Sequence, residues 1–188
     1  MLAQFPIIFR VERAQVAHPL AFSAYPGGLH RVQRRALAGG VTAMQVLPGS
    51  GNLIGGRGVT LKNVPSVSYQ GMKFPGAPHG LKMACGENPK GVYGERLQAP
   101  STRMGNVAGY RAEWIAAQEY IRSWKEYEEK RSAGDSSESD DQSGVTTTPV
   151  RDLKLETLAA VLKGEILVHM HCYRADEMMT ILDMADEF

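Results

Sequence analysis

The spacing of apolar residues changes along the chain between the period of a helix and the period of a strand. In 106–131 apolar side chains, among them Tyr110, Trp114 and Ala117, recur every three or four residues. This spacing predicts a long amphipathic helix with one face in the core. Shorter helices are predicted, on the same spacing or on a glycine stop, in 29–40, 153–164 and 175–188.

Continuous apolar runs predict three short strands. The run at 41–47 has the composition of a buried parallel strand, and similar runs occupy 80–85 and 166–171. Between the first two runs, 48–63 carries five glycines and is interpreted as a long loop. The glycine, asparagine and proline residues of 86–94 predict a turn.

The alternation of helices and strands predicts an α/β fold of parallel strands joined by right-handed crossovers. Residues 34–131 and 150–188 form this domain. The segment 1–33 is poorly defined, with one expected strand at 7–11. The acidic, Ser/Thr-rich 132–149 is expected to be a flexible linker or insertion, the alternative being a phosphorylated docking segment.

Composition excludes some partners. The 21 basic and 20 acidic residues leave a net charge of +1, so no global field favours nucleic acid or an anionic membrane. No apolar run is long enough to span a bilayer, and no signal peptide is recognisable at the start. A cytoplasmic protein is expected, with Cys85 and Cys172 as small buried thiols.

Two histidines end the predicted strand at 166–171. Because strand side chains alternate, His169 and His171 lie on the same face, with Val168 and Met170 on the other. The pair is interpreted either as ligands or catalytic groups, or as hydrogen-bonded core residues. The glycines of 48–63 do not form a nucleotide loop, because GxGxxG fails at Ile54 and no GKS or GKT follows.

Four motifs in order resemble one family. ALAGGVTAMQVLPGSGNLIGGRGVTLKN, GLKMACGENPK, APSTRMGNVAGYRAEW and GEILVHMHCYRADEM are similar to the middle of the amidohydrolase superfamily, in its imidazolonepropionase-related branch. The resemblance implies an incomplete TIM-like (β/α) barrel and a metal-dependent hydrolase of amide, lactam or other C–N bonds. It also implies a small-molecule substrate and one or two divalent ions, most often zinc, which activate the attacking water.

The resemblance assigns roles to particular residues. His171 matches the metal-binding histidine of the family's fifth strand, and His169 is expected to line the pocket or support the metal. Lys82 matches a lysine that is carboxylated and bridges two metals; an ordinary exposed lysine is the alternative, with Glu87 as the substitute carboxylate. Three further polar residues near these motifs are expected to contact substrate: Asn52, Arg57 and Arg174.

The chain also departs from the family pattern. Its first 33 residues hold no HxH pair, and no later strand supplies the family's catalytic aspartate. A complete barrel takes about 250 residues, so a fragment of an enzyme is expected. The competing hypothesis is a non-catalytic α/β module that associates, as a homo-oligomer, through exposed sheet edges.

Overall fold

The computed structural model describes residues 28–134 and 147–188, and their helices and strands alternate along the chain. The strands are β1 Ala43–Val46, β2 Ile54–Lys62, β3 His79–Ala84 and β4 Ile166–His171. The helices are α1 Gly28–Ala38, α2 Tyr69–Met72, α3 Glu87–Gly94, α4 Arg103–Gly134, α5 Leu153–Leu162 and α6 Ala175–Glu187. The strand expected at 7–11 and most of the acidic segment lie outside the described residues, while 132–134 belong to α4.

The four strands form one mixed sheet in the order β1–β2–β3–β4. β1 pairs antiparallel with β2, and β2 pairs antiparallel with β3. Only β3 and β4 are parallel, joined by a crossover through α3, α4 and α5. The predicted α/β class is therefore confirmed, but parallel pairing is wrong for β1 and β2. The short link between them reverses the chain, and a parallel pair needs a longer crossover.

The glycine-rich segment 48–63 was interpreted as a loop, and this is wrong for most of its length. Residues Ile54–Lys62 form β2, a central strand in which Ile54, Val59 and Leu61 are buried. Glycines in place of side chains conceal the alternation that normally reveals a strand. The turn predicted at 86–94 is likewise helix α3.

The first predicted strand has a different environment from the one its composition suggests. β1 was expected to be buried in a parallel sheet, but it is an antiparallel edge strand with alternating exposed and half-buried residues. Its inward residues, Met44 and Val46, pack with Val59, Leu61 and Met72 in a small cluster between β1, β2 and α2. An apolar run alone does not distinguish an edge strand from a central one.

The main core lies between β3, β4 and the helices on one face of the sheet. Leu81 and Met83 of β3 pack against Tyr110 and Ala117 of α4 and Leu158 of α5, all at most 1% exposed. The predicted amphipathic stripe on α4 is thereby confirmed. Burying a side chain of the size of Leu or Met stabilises the fold by about 1.5–3 kcal/mol.

Helix α5 begins at a defined cap. The Asp152 carboxylate accepts hydrogen bonds from the backbone N–H groups of Lys154 and Leu155, at 2.8 and 3.1 Å. Such a cap satisfies two of the free N–H groups at a helix start and stabilises it by about 1 kcal/mol. Among 28–134 and 147–188 no helix is long and apolar enough to cross a membrane.

Candidate functional site

The parallel pair of strands brings three predicted site residues to one face of the sheet. Lys82 lies directly beside His169, and Ala84 lies beside His171. Residues paired in register point to the same side, so Lys82, His169 and His171 share the face that does not pack against α4 and α5. The two histidines lie at the carboxyl end of β4, where function is concentrated in parallel α/β sheets.

Three glycines lie on this face of the sheet. Gly58 pairs with Gly80 and Gly56 with Lys82, so the face carries no side chains at three neighbouring positions. The ring of His169 occupies the space over Gly80, where an added Cβ would lie 2.6 Å from the ring Cδ2 and 2.8 Å from Nε2. The ring of His169 thus fills the space that Gly80 leaves, and the side chain of Leu47 fills the space over Gly58. We call this side of the sheet, with Lys82, His169 and His171, the histidine face.

Each histidine of this face has a polar neighbour. The side-chain nitrogen of Gln45, on β1, lies 3.1 Å from Nε2 of His169, so the amide donates and the ring nitrogen accepts. The Asn88 amide nitrogen lies 3.4 Å from Nδ1 of His171. The ring of Tyr173 meets that of His171 edge to face at 4.7 Å between centroids. Gln45 and Asn88 were not recognised from the sequence.

Lys82 is half-buried beside His169. Its ammonium group donates to the carbonyl of Met83 at 3.2 Å. Desolvation by burial lowers the pKa of Lys82, because a partly dry environment disfavours the charged form. The shift runs in the direction that a nucleophile or a metal ligand needs, because only the neutral amine has a free lone pair.

The donor types on this face suit zinc, but a complete set of ligands is not assembled. Zinc binds imidazole nitrogen, and a catalytic site normally has three protein ligands. Among the described parts of the chain no group of three or more His, Cys, Asp and Glu residues is close enough to hold a metal. The side chains of His169, His171 and Lys82 each contact another protein group instead.

The residues predicted to contact substrate are dispersed. The side-chain oxygen of Asn52, Oδ1, accepts a hydrogen bond of 2.7 Å from the Tyr93 hydroxyl, which ties the β1–β2 loop to α3. Arg57 pairs with Leu81, so it lies on the opposite face of the sheet from the histidines. Arg174 directly precedes α6 and donates two hydrogen bonds of 2.9 Å to Asp176. None of the three is brought against His171 in the structure.

Glu87 is engaged at the surface. Its carboxylate lies 3.0 Å from Lys90 and 3.1 Å from Arg103. The hydrogen bond from Lys90 is the main cause that lowers the pKa of Glu87. This exposed carboxylate is therefore paired with two cations, one on α3 and one on α4.

Sequence reasoning missed a polar network just beyond the end of β3. Glu177 of α6 is 9% exposed, and its carboxylate accepts a hydrogen bond of 2.7 Å from Arg103. The same carboxylate lies against Gly86, where a Cβ would approach both oxygens to 2.3 Å. One signal could have revealed it, because Glu177 occupies the stripe of α6 that Ile181 and Met184 continue into the core.

Two further side chains on α4 complete this network. Asn106 donates to the Gly86 carbonyl at 2.9 Å, and the Tyr110 hydroxyl donates to the carbonyl of Ala84. Burial, reinforced by the nearby Glu177 charge, raises the pKa of Tyr110, so the phenol stays protonated as a donor. The backbone turn that leaves β3 is thus fixed from α4 and α6.

The two cysteines form a disulfide, which corrects the expectation of separate thiols. Ala84 and His171 are the last paired residues of the parallel ladder, and Cys85 and Cys172 follow them directly. Their Cα atoms are therefore neighbours, 5.1 Å apart, within the range that a disulfide spans. The bond joins the carboxyl ends of β3 and β4 beside His171, a proximity that only the strand register creates.

The chain is similar to part of two larger proteins. It is 33% identical over 163 residues to the amidohydrolase tasK of Hapsidospora irregularis, covering 80% of this chain and 16% of that protein. It also matches the crystal structure of an amidohydrolase from Thermotoga maritima MSB8 with a TM-score of 0.67 and 37% identity, over 84% of this chain and 37% of the other. No family model matches the chain.

Proposed function

We propose that this chain forms part of the catalytic domain of an amidohydrolase, a hydrolase that acts on amide-type bonds of a small molecule. Similarity to two amidohydrolases supports the general activity. The chain spans 16% and 37% of the length of those proteins. The finer assignment, to imidazolonepropionase-related enzymes that cleave lactam or other C–N bonds, rests on the sequence motifs.

The placement of His171, His169 and Lys82 on one face at the carboxyl ends of β3 and β4 is the observation that carries the proposal. We infer that they supply part of a centre for one or two divalent ions, with zinc as the first candidate. Such an ion lowers the pKa of a bound water to about 7 and polarises the carbonyl under attack. The partial ligand set supports no more detailed step.

Asn88 has a defined part in this proposal. A metal-binding histidine usually donates its second ring N–H to a carbonyl group, which fixes the ring. A flip of the Asn88 amide would present its oxygen to Nδ1 of His171 and leave Nε2 free for the ion. Asn88 is thus proposed to orient the ring, and Gln45 to play the corresponding part at His169.

The proposed role of Lys82 needs an uncharged amine. Carboxylation joins the lysine nitrogen to carbon dioxide and releases a proton. An ammonium group cannot react in this way, because its nitrogen has no free lone pair to form the bond to carbon. Burial that lowers the pKa of Lys82 therefore favours this modification, and the carbamate would add two oxygen ligands to the histidine face. Neutral-amine coordination is the simpler use of the same side chain.

Metal analysis with a matched pair of histidine variants tests the metal centre. We expect the purified chain to bind zinc, His171→Ala to lose it, and Asn88→Ala to weaken it by about 10–100-fold. His79→Ala is the control, because His79 contacts the Gly58 carbonyl and its register places it on the other face. Folded wild-type protein that takes up no zinc, or equal losses in both histidine variants, would refute the metal assignment.

One observation favours the second candidate, a non-catalytic association module. Within the described residues β4 is an edge strand of the sheet, and the large apolar residues Leu167 of β4 and Leu182 of α6 are 51% and 57% exposed. Such an edge favours a homo-oligomer. Light scattering distinguishes the candidates when combined with an amidase screen: association that Leu182→Asp abolishes, in a protein without zinc or turnover, would replace the enzyme proposal.

A further inference from the structure

A cavity of about 500 Å³ lies on the helix-packed side of the sheet, away from the histidine face. One wall is a face of α5 that includes Leu153, Thr157 and Ala160, and the other includes His79 and Ile166, the first residues of β3 and β4. A volume of about 300–1,000 Å³ is usual for small-molecule sites. The cavity is therefore large enough for a small organic ligand.

This cavity is separate from the candidate metal centre. It opens at the amino ends of β3 and β4, whereas His171 is the last residue of β4. At about 3.3 Å per residue, the two ends of such a strand are roughly 16 Å apart. Arg57 and Lys82 point to opposite faces, because they pair with Leu81 and Gly56 in alternating register.

Arg57 is the distinctive group of the cavity. Its side chain is partly buried, and no carboxylate or hydrogen-bond acceptor of the described chain, 28–134 and 147–188, contacts its guanidinium group. Desolvation lowers the pKa of Arg57, which reflects the cost of a partly dry charge without a partner. An anion in the cavity would offset that cost.

Unlike Arg57, the other titratable residues of the cavity either have a protein partner or lie exposed at its rim. Arg151 is neutralised by Glu156, with Nη2 and Oε2 3.1 Å apart. The Nδ1 atom of His79 lies 3.1 Å from the Gly58 carbonyl and donates its N–H to it. Glu165 is exposed at the rim. Among the described residues that line the cavity, Arg57 is thus the arginine without a carboxylate partner, and the nearby Glu165 disfavours a second negative charge on a ligand.

We propose that this cavity binds a small monocarboxylate with a short aliphatic body. The planar guanidinium of Arg57 matches a carboxylate through two parallel hydrogen bonds. Leu153, Ala160 and Ile166 provide the apolar surface for the aliphatic part. A dianion such as phosphate lacks an apolar part and meets repulsion from the exposed Glu165. The proposal does not depend on the hydrolase activity.

A methyl NMR titration of the full chain with sodium butanoate tests the site. We expect saturable shifts at Leu153 and Ile166 in the millimolar range, with the ring signals of His169 and His171 unchanged. Butan-1-ol and inorganic phosphate should each bind at least about tenfold more weakly, because the alcohol lacks the carboxylate and phosphate lacks the aliphatic part. Shifts centred on the histidine rings, the absence of saturable shifts, or equal binding of the alcohol or of phosphate would overturn the proposal.

Variants identify the charge that carries binding. Arg57→Gln should weaken butanoate binding by about tenfold or more, and Arg57→Lys by less, since a point charge remains without the planar fork. Arg122→Gln, an exposed arginine on α4, is the matched control and should leave affinity unchanged. Retained affinity in folded Arg57→Gln would refute the role of Arg57.

A fourth variant is expected to bind butanoate more tightly, a result that misfolding would not produce. Glu165→Gln alters an exposed rim residue and removes a repulsive charge, so butanoate should bind about two- to fivefold more tightly. Weaker binding in this variant would show that the site recognises a cation or zwitterion, which contradicts the proposal. Circular dichroism confirms that each variant is folded before the titration.

Discussion

The two faces of the β2–β3–β4 sheet are built from alternate residues of the same strands, yet they differ in nearly every property. One face presents Leu81, Met83 and Ile166, all buried, to three helices. The other presents glycines, Lys82 and the histidines, which contact amide side chains. At Leu81, Lys82 and Met83 of β3, strand alternation thus places residues that stabilise the core on one face and a residue available for chemistry on the other.

The largest expected difference between the faces is in stability. Leu81→Ala removes a fully buried side chain and should lower the free energy of unfolding by about 3–5 kcal/mol. Lys82→Ala, one residue along on the histidine face, should cost less than about 1 kcal/mol. Urea unfolding of both variants measures this, and equal losses would contradict the separation of roles.

The next largest effect is expected at the carboxyl end of β3, where Gly86 adopts a φ of +67°. Gly86→Ala should cost about 2 kcal/mol or more, because its Cβ is strained at this φ and meets the Glu177 carboxylate. Gly91→Ala is the matched control in α3, where nothing lies within 4 Å of the added Cβ. It should be neutral or stabilising by up to about 1 kcal/mol, and thermal unfolding of both variants tests the difference.

A smaller effect on stability, but a specific one on geometry, is expected at Gly80. Gly80→Ala places a methyl group where the His169 ring lies, and the ring can rotate away at a cost below about 1 kcal/mol. The NMR signals of His169 should shift as its contact with Gln45 breaks, while those of His79 on the other face remain. Unchanged His169 signals would show that Gly80 does not position this ring.

The smallest effect concerns the exposed pair at the start of α6. Hydrogen bonding from Arg174 lowers the pKa of Asp176 below its usual 3.8. A carboxyl whose folded-state pKa is depressed stabilises the fold above its unfolded pKa, and this contribution is lost as pH falls through the folded value. Asp176→Asn should therefore lower the melting temperature slightly at pH 7 and not at pH 2. Asp183→Asn, elsewhere on α6, is the control, and an equal change at both pH values would contradict the assignment.

Much of the fold could be predicted where side chains carry a period. The α4 stripe through Tyr110 and Ala117, the strand 166–171 and the shared face of His169 and His171 follow from local spacing alone. β2 could not be recognised, because Gly55, Gly56 and Gly58 interrupt its pattern. The antiparallel direction of β1 and β2 also depends on how the chain reverses, which apolar composition does not encode.

The candidate site was predictable in its residue types but not in its partners. The sequence by itself determined that two imidazoles end a strand on one side, because side chains alternate along any strand. Only the tertiary structure decided that Lys82 lies beside His169, that Arg57 lies on the opposite face of the sheet, and that Cys85 bonds to Cys172. These pairings join residues far apart in the chain, and their register is set by the packing of β3 and β4 against α4 and α5, which no local pattern specifies.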